Sequence, residues 1–321
     1  MSDYTPPYTV TEEIVNLIAR ICAQTERLSV NSRESLRMHR IHRLQSIHGS
    51  LAIEGNTLSI DQITAVFEGK TVLAPQREIQ EVKNALATYD IFDTLNPFST
   101  KDLLRAHSIL TSALIDQSGQ FRSTGVGVMS GKKVLHLAPP ASQVPVLIDD
   151  LFTWIKKSQA HPLITSSVFH YEFEFIHPFA DGNGRMGWLW QSLLLSKWNP
   201  LFAYLPVENL ILKRQQLYYT ALQHSTKQTD SAPFVTFMLN AISDKLTELI
   251  SQKSKVKSNE KSKEKILHLI LEQPTITTAH LAKQSGLSLS GVEKNVRQLK
   301  QAGLLKRIGP DKGGRWEVIN P

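Results

Sequence analysis

The chain contains 321 residues, of which 41% are hydrophobic, and it carries a formal net charge of +7. This length and composition are those of a globular protein with room for two domains. The single cysteine, Cys22, excludes an internal disulfide framework and fits a reducing compartment. The N-terminus lacks the basic and apolar regions of a signal peptide, and no stretch approaches the roughly 18 apolar residues of a membrane span. We therefore expect a cytoplasmic protein with no membrane partner.

The first clear helical pattern covers residues 32–49, where apolar side chains recur on or near one face. These side chains are Leu36, Ile41, Leu44 and Ile47. The pattern continues into the sequence SLAIEG, which contains Ser50 and Glu54 and ends at Gly55. A glycine followed by an asparagine is typical of a helix end. From these residues alone, Glu54 is a solvated glutamate at the end of a helix.

A β-hairpin is predicted within residues 119–140. Val126 and Val128 are separated from Val134 and Leu135 by the turn-like sequence Ser-Gly-Lys. A hairpin of this kind can bind an extended peptide by strand addition, through main-chain hydrogen bonds. A surface hairpin without a partner is the alternative.

Two further helices are predicted over residues 164–175 and 184–197, and the loop between them carries most of the chemistry. Its sequence, residues 177–185, is HPFADGNGR. A histidine accepts protons near neutral pH, a carboxylate can hold Mg²⁺, and arginine binds phosphate through a planar fork. Glycines let backbone N–H groups approach phosphate oxygens, and the loop leads into a helix N-terminus, which favours anions. The loop therefore predicts phosphate chemistry, and a glycine-rich turn between core helices is the alternative.

The string HPFADGNGR resembles the signature of Fic-domain proteins, which is a histidine, any residue, Phe, any residue, Asp or Glu, and then GNGR. The resemblance extends from about residue 10 to about residue 245. It implies a mainly α fold, in which a Fic-type helical domain carries a small β-hairpin flap. It also implies transfer of AMP from ATP to a Tyr, Thr or Ser hydroxyl of a target protein or of the chain itself, with release of pyrophosphate.

The resemblance assigns roles to the residues of the loop. It makes His177 the general base for the target hydroxyl and Asp181 the ligand of Mg²⁺. It places the phosphates in an anion nest and makes Phe179 the anchor of the loop in the core. The resemblance implies that the nest is formed by Gly182, Asn183 and Gly184 and that Arg185 binds a phosphate. The hairpin then holds the target segment through the strands that contain Val126, Val128, Val134 and Leu135.

One position departs from the family pattern. Active members usually continue as GNGRxxR, and the second arginine helps to hold the γ-phosphate, but this chain has Trp188 there. Tryptophan has one N–H donor and no charge. A charge-assisted contact contributes roughly 1.5–3 kcal/mol, so its loss would weaken ATP binding by about tenfold to a few hundredfold.

The sequence SLAIEG also matches a family pattern, the inhibitory sequence of Ser or Thr, three residues, Glu, and then Gly or Asn. Ser50, Glu54 and Gly55 occupy its defined positions. The resemblance implies that Glu54 enters the active site and competes with the γ-phosphate by pairing with the second arginine. Because that arginine is absent, Glu54 is expected either to meet Arg185 or to be held loosely.

The C-terminal part predicts a second domain and carries the basic charge. From Ser251 onward there are 14 Lys and Arg residues against 6 Asp and Glu residues. Residues 251–264 are predicted as a linker or an exposed helix end, and residues 265–321 as helix, helix-turn-helix and hairpin, which resembles a winged helix. The residues predicted to reach DNA are Ser290, Lys294, Arg297, Lys312 and Arg315. A protein-interaction or dimerisation module with a basic face fits the same pattern.

The predicted organisation is a helical region over residues 1–100 with the inhibitory helix at about 32–55, and a catalytic domain over 101–250. Autoinhibited transfer of AMP, with ATP as substrate and Mg²⁺ as cofactor, is the first functional hypothesis. The alternatives are a nucleotide-responsive DNA-binding regulator with weakened catalysis and an enzyme that removes AMP by using Glu54. A homodimer is expected, since many Fic proteins form dimers.

Overall fold

The computed structural model is mainly helical and divides into two compact units, Met1–Thr247 and Glu248–Pro321. The structure describes residues 4–28, 32–130, 133–310 and 313–319. Side chains are described throughout these ranges except at residues 32–38, 128–130, 133–136 and 256–257. In this part of the chain, none of the helices has both the length and the apolar character that a membrane span requires.

The first unit is built from helices that surround one central pair. In chain order they are α1 (Glu12–Arg27), α2 (Ser32–Ile53), α3 (Ile60–Phe67), α4 (Gln76–Asp90), α5 (Thr100–Leu110), α6 (Val144–Lys157), α7 (Pro162–Ile176), α8 (Asn183–Trp198), α9 (Glu208–Lys213), α10 (Gln215–Gln228) and α11 (Ala232–Glu272), which continues past Thr247. Short 3-10 helices cover Phe92–Thr94, Ala141–Gln143 and Pro200–Tyr204. The predicted mainly α fold is confirmed.

The central pair, α7 and α8, is buried along almost its whole length. Phe169 and Phe173 of α7 and Met186 and Trp190 of α8 are fully buried. Helices that are apolar on all sides belong inside a core, because every face must pack against protein. The predicted helices over 164–175 and 184–197 are therefore confirmed, and the loop between them is held at both ends by the core.

Helix α2 covers the predicted pattern over residues 32–49 and stops at Ile53, close to the predicted end of the inhibitory helix at about residue 55. Gly49 does not end it, and the absence of a side chain there lets α9 approach. A Cβ atom at Gly49 would lie 2.8 Å from the backbone N of Asn209. Gly55 follows two residues after the last helical residue, and its φ of +96° suits glycine, so the predicted helix end is confirmed.

The predicted hairpin is confirmed in its backbone. Strands β1 (Gly127–Ser130) and β2 (Lys133–Leu137) pair antiparallel, with Gly127 opposite Leu137 and a register irregularity between Val128 and Met129. Val126 precedes the first strand, and its carbonyl accepts a hydrogen bond from Ala138 N at 3.2 Å. The side chains of Val128, Val134 and Leu135, and residues 131–132 of the turn, lie outside the described residues.

The second unit has the order of a winged helix, as predicted. Its elements are the last part of α11, α12 (Thr278–Ser285), α13 (Leu289–Gln301), β3 (Leu305–Ile308) and β4 (Arg315–Val318). The two short helices start at side-chain caps, Thr277 and Ser288. The buried core consists of Ile266, Ile270, Ile276, Leu281, Val292, Val296, Leu299 and Leu305.

Residues 251–264, predicted as a linker or an exposed helix end, are helical throughout. They form part of α11 because the sequence SQKSKVKSNEKSKE contains neither glycine nor proline and is rich in lysine and glutamate, which favour helices. The segment is therefore helical and not irregular.

Candidate active site

The loop at residues 177–185 lies between two residues in the left-handed conformation. His177 ends α7 with φ 50° and ψ 61°, and Gly182 precedes α8 with φ 84°. Glycine adopts this conformation without strain, whereas for a residue with a Cβ it costs about 1–2 kcal/mol. The conformation at His177 must therefore be stabilised by its surroundings.

Arg122 provides this stabilisation from beneath the hairpin. Its side chain is buried, and Nε donates to the carbonyl of His177 at 2.8 Å, while Nη2 donates to the carbonyl of Ile176 at 3.2 Å. The same guanidinium donates to the carbonyls of Thr124 and Pro139, which flank the hairpin strands, at 2.9 and 2.6 Å. A cation at a helix C-terminus is favourable because the carbonyl ends carry partial negative charge. Arg122 therefore joins the end of α7 to both ends of the hairpin.

Asn183 braces the loop from within. Its Oδ1 accepts from Phe179 N at 2.9 Å, and its Nδ2 donates to the carbonyl of Phe179 at 2.8 Å. Phe179 is fully buried and stacks on His107, with the ring centroids 3.6 Å apart. Because the amide of Asn183 already bonds the loop backbone, its contribution to an anion site is through its backbone N–H.

His107 fixes the loop from the side of α5. Its Nδ1 accepts a hydrogen bond from Gly119 N at 3.0 Å, so the ring proton resides on Nε2 and is donated to the carbonyl of Asp181 at 3.0 Å. Burial lowers the pKa of His107 to about 4, which keeps the ring neutral at physiological pH. Sequence reasoning did not identify Arg122 or His107, because a single buried polar residue leaves no spacing pattern.

Asp181, the predicted metal ligand, bridges two arginines. Its Oδ1 accepts from Gly182 N at 2.6 Å and from Arg185 Nη2 at 3.0 Å. Its Oδ2 accepts from Nη2 of Arg77, on α4, at 2.9 Å. Among the described residues, no group of three or more His, Cys, Asp or Glu side chains is arranged as a metal site. A hard cation at Asp181 would therefore take its remaining ligands from water and substrate oxygens, as Mg²⁺ commonly does.

Arg185 is buried and only partly satisfied. Its Nη2 pairs with Asp181, whereas Nε and Nη1 find no hydrogen-bond partner among the described residues. A buried donor without an acceptor costs about 1–3 kcal/mol, and more when it is charged. The Arg185 guanidinium therefore has donors for a further anion beside the N-terminus of α8.

Glu54 brings a carboxylate to this N-terminus. A Cβ atom at Gly184 would collide with Glu54 Oε1, so the carboxylate packs directly against the first turn of α8. The first N–H groups of a helix have no partner within the helix and attract negative charge. Desolvation raises the pKa of Glu54, and the charge of Arg185 opposes this shift.

The other two residues of the inhibitory pattern have local structural contacts. Ser50 is buried, and its Oγ donates to the carbonyl of Ile47 at 3.0 Å within α2. Gly55 ends the helix immediately after Glu54. Gly55 thus contributes to where α2 ends, which determines where the carboxylate of Glu54 lies.

Trp188, predicted to contact the nucleotide, is a core residue. It is 3% exposed and packs with His170 and Tyr218, with ring centroids 4.3 and 5.3 Å away. His170 is also part of this core, and its Nε2 lies 3.0 Å from the Tyr218 hydroxyl oxygen. The ring of Trp188 therefore fills core volume and supplies no charge to the loop.

A buried glutamate lies beneath the start of α8. Glu174 Oε1 finds no hydrogen-bond partner among the described residues, and a Cβ atom at Gly187 would lie 2.9 Å from it. Burial raises the pKa of Glu174 to about 8, and the nearby charge of Glu54 adds to this shift. Glu174 is therefore mostly protonated at pH 7, and sequence reasoning missed it because it reads as a polar position within an apolar helix.

In the second unit, Ser290, Lys294 and Arg297 are exposed on α13, and Arg315 is exposed on β4. Lys312 lies outside the described residues. The four predicted DNA-contacting residues that the structure describes are thus all exposed, three on α13 and one on the wing.

Comparisons with known proteins agree with this architecture. Residues 97–195 match the Fic/DOC family, and residues 260–306 match the winged helix-turn-helix DNA-binding family. A crystal structure of a Fic family protein from Desulfovibrio desulfuricans G20 is 42% identical, has a TM-score of 0.79, and is matched over 99% of both chains. The chain belongs to the Fic family. Its fold is also similar to Fic-1 from C. elegans, with a TM-score of 0.63 at 21% identity over 76% of this chain and 73% of that one.

Curated relatives of this Fic protein include proteins named "Protein adenylyltransferase Fic" from Aedes aegypti and Culex quinquefasciatus. Each is 30% identical over 213 residues, which is 61% of this chain and 39% of the relative. The chain thus spans about two fifths of the length of these relatives.

Proposed function

We propose that this Fic protein transfers AMP from ATP to a hydroxyl group of a protein, with release of pyrophosphate. The observation that carries the proposal lies at the start of α8, where Nε and Nη1 of Arg185 have no partner among the described residues and the carboxylate of Glu54 packs against Gly184. A helix N-terminus beside a buried arginine suits phosphate. The names of the curated relatives agree with this activity.

In the proposed reaction, His177 accepts the proton of the target hydroxyl, and the hydroxyl oxygen attacks the α-phosphorus of ATP. The bond between the α-phosphorus and the oxygen that bridges to the β-phosphate breaks, and pyrophosphate leaves. The backbone around Gly182 and Gly184 and the guanidinium of Arg185 stabilise the charge on the phosphate oxygens. Asp181 is the residue that would hold Mg²⁺, which neutralises phosphate charge when bound.

We also propose that Glu54 inhibits the reaction, because its carboxylate lies at the anion site and carries the same sign of charge as a phosphate. In this arrangement the carboxylate of Glu54 occupies space against the first turn of α8 and interacts electrostatically with the guanidinium of Arg185. Tests should use wild type, Glu54→Gly, the matched charge-only variant Glu54→Gln, and His177→Ala, each incubated with ATP labelled at either the α- or the γ-phosphate.

We expect both Glu54 variants to incorporate more α-label than wild type, and His177→Ala to incorporate none. Incorporation of γ-label would assign phosphate transfer and refute the proposal. If Glu54 instead activates a water that removes AMP, a pre-labelled protein should lose its label with wild type and keep it with Glu54→Gln.

We further propose that the second unit binds DNA, because its match is to a DNA-binding family and its helix α13 exposes Lys294 and Arg297. Exposed cations release counterions on binding DNA, so affinity should fall steeply with salt. We expect Arg297→Ala to weaken duplex binding, measured by fluorescence anisotropy, while Arg214→Ala in the first unit leaves it unchanged. Equal binding by both variants would favour a protein-interaction role.

A further inference from the structure

Arg77 lies at the candidate active site, although it comes from α4 and not from the loop. Its Nη2 is 2.9 Å from Asp181 Oδ2, on the opposite side of that carboxylate from Arg185. The two arginines differ in exposure, since the side chain of Arg77 is 59% exposed and that of Arg185 is 5% exposed. Arg77 can therefore move with little loss of packing, whereas Arg185 is fixed.

Arg77 is also linked to the segment that follows Glu54. Its Nε lies 3.4 Å from Glu81 Oε1, and Asn56 Nδ2 donates to Glu81 Oε2 at 2.9 Å. Asn56 comes two residues after Glu54. The segment after α2 and the guanidinium of Arg77 thus contact the same carboxylate, that of Glu81.

The charges around the loop indicate what Arg77 contributes to the site. Glu54, Glu81 and Asp181 bring negative charge near the loop, and Glu81 and Asp181 both pair with Arg77. Trp188 contributes no charge, so Arg185 alone would face three acids and the phosphates of a nucleotide. Like charges repel strongly in a partly desolvated site. A second cation would offset part of this negative charge, and Arg77 lies beside Asp181 at 2.9 Å.

We propose that Arg77 binds the phosphates of ATP that leave as pyrophosphate. This inference rests on the proposed function. The leaving group must depart toward solvent, and Arg77 is the exposed one of the two arginines. Its guanidinium has five donors in a planar fork, of which the structure uses Nη2 for Asp181 and Nε for Glu81. The remaining donors can bind phosphate oxygens while the group stays beside Asp181.

The test is equilibrium binding of ATP and AMP with Mg²⁺, measured by calorimetry in the Glu54→Gly background. Arg77→Ala is compared with Arg77→Lys, which keeps the charge without the fork. The matched control is Arg214→Ala, which removes another exposed arginine that pairs with an acid, Asp244, at 2.7 Å.

We expect Arg77→Ala to weaken ATP binding by about tenfold or more and AMP binding by less than about twofold, since a charge-assisted contact is lost only with ATP. The ATP affinity of Arg77→Lys should lie between those of Arg77→Ala and the parent. Arg214→Ala should bind ATP and AMP with the affinities of the parent. An ATP affinity of Arg77→Ala within twofold of the parent, or tighter, would overturn the inference alone. Failure of the Glu54→Gly parent to bind ATP at all would instead overturn the proposed function, and the inference with it.

Discussion

Replacement of the buried Arg122 by methionine should lower the free energy of unfolding of the first unit more than replacement of any exposed arginine. Methionine fills a similar volume but leaves four carbonyls, including that of His177, without their charged donor. Each such hydrogen bond contributes about 1.5–3 kcal/mol, for an upper bound of about 6–12 kcal/mol. Because some of these carbonyls can be rehydrated in the variant, we expect a loss of about 3–5 kcal/mol.

For a unit of this size, 1 kcal/mol corresponds to about 2–4 °C in Tm, so Arg122→Met should lower the Tm by about 6–20 °C. Tryptophan fluorescence is the appropriate probe, since four of the five tryptophans lie before residue 248. The control Arg214→Met removes only an exposed ion pair and should change the free energy of unfolding by about 0–1 kcal/mol. A Tm decrease below about 2 °C for Arg122→Met would refute the reasoning.

The other predictions concern buried titratable groups. The pKa of His107 is lowered to about 4, so this histidine contributes stability above its ordinary value of 6.5 that is lost as the pH falls through 4. His107→Gln should therefore reduce the loss of unfolding free energy between pH 6.5 and pH 4 by up to about 3 kcal/mol. A pH profile of stability that runs parallel to that of wild type would contradict this. The contribution of Glu174 changes with pH in the opposite direction, because its pKa is raised from 4.5 to about 8. The stability that Glu174 contributes is therefore present below pH 4.5 and is lost as the pH rises through 8. Glu174→Gln should gain stability relative to wild type between pH 5 and pH 8, as followed by thermal unfolding, and an equal or lower Tm at pH 8 would argue against a buried neutral carboxyl.

The helices around the site could be predicted because their sequences repeat a simple periodicity. Residues 164–175 and 184–197 carry apolar side chains at helical spacing, and the structure has helices there. The two short helices of the winged helix likewise begin at threonine and serine caps. Local propensity and burial agree at these places, so the sequence alone is sufficient.

The surroundings of the loop could not be predicted in the same way. Arg122, His107 and Arg77 reach the loop from distant positions in the chain, and none of them belongs to a repeating pattern. The position of Trp188 in the core also depends on which face of α8 meets His170 and Tyr218. Contacts of this kind follow from tertiary packing, which a single sequence does not display.

The end of α2 illustrates how a glycine in a helical pattern is interpreted from its neighbours. Gly49 is a point of close approach to α9, and the helix continues past it to Ile53, as the pattern through SLAIEG predicts. The extra turn carries Glu54 to Gly184 at the start of α8. A glycine in a helix can therefore mark packing and not an end, and only the neighbouring helix distinguishes the two.

The most direct test of AMP transfer is the intact mass of the protein after incubation with ATP and Mg²⁺. We would compare Glu54→Gly with the double variant Glu54→Gly/His177→Ala, and use Glu54→Gly/His268→Ala as a control, because His268 is an exposed histidine of the second unit. The account predicts that Glu54→Gly and its His268 control gain the mass of AMP and release pyrophosphate, while the His177 variant gains nothing. A gain of phosphate mass, or an equal gain of AMP without His177, would contradict it.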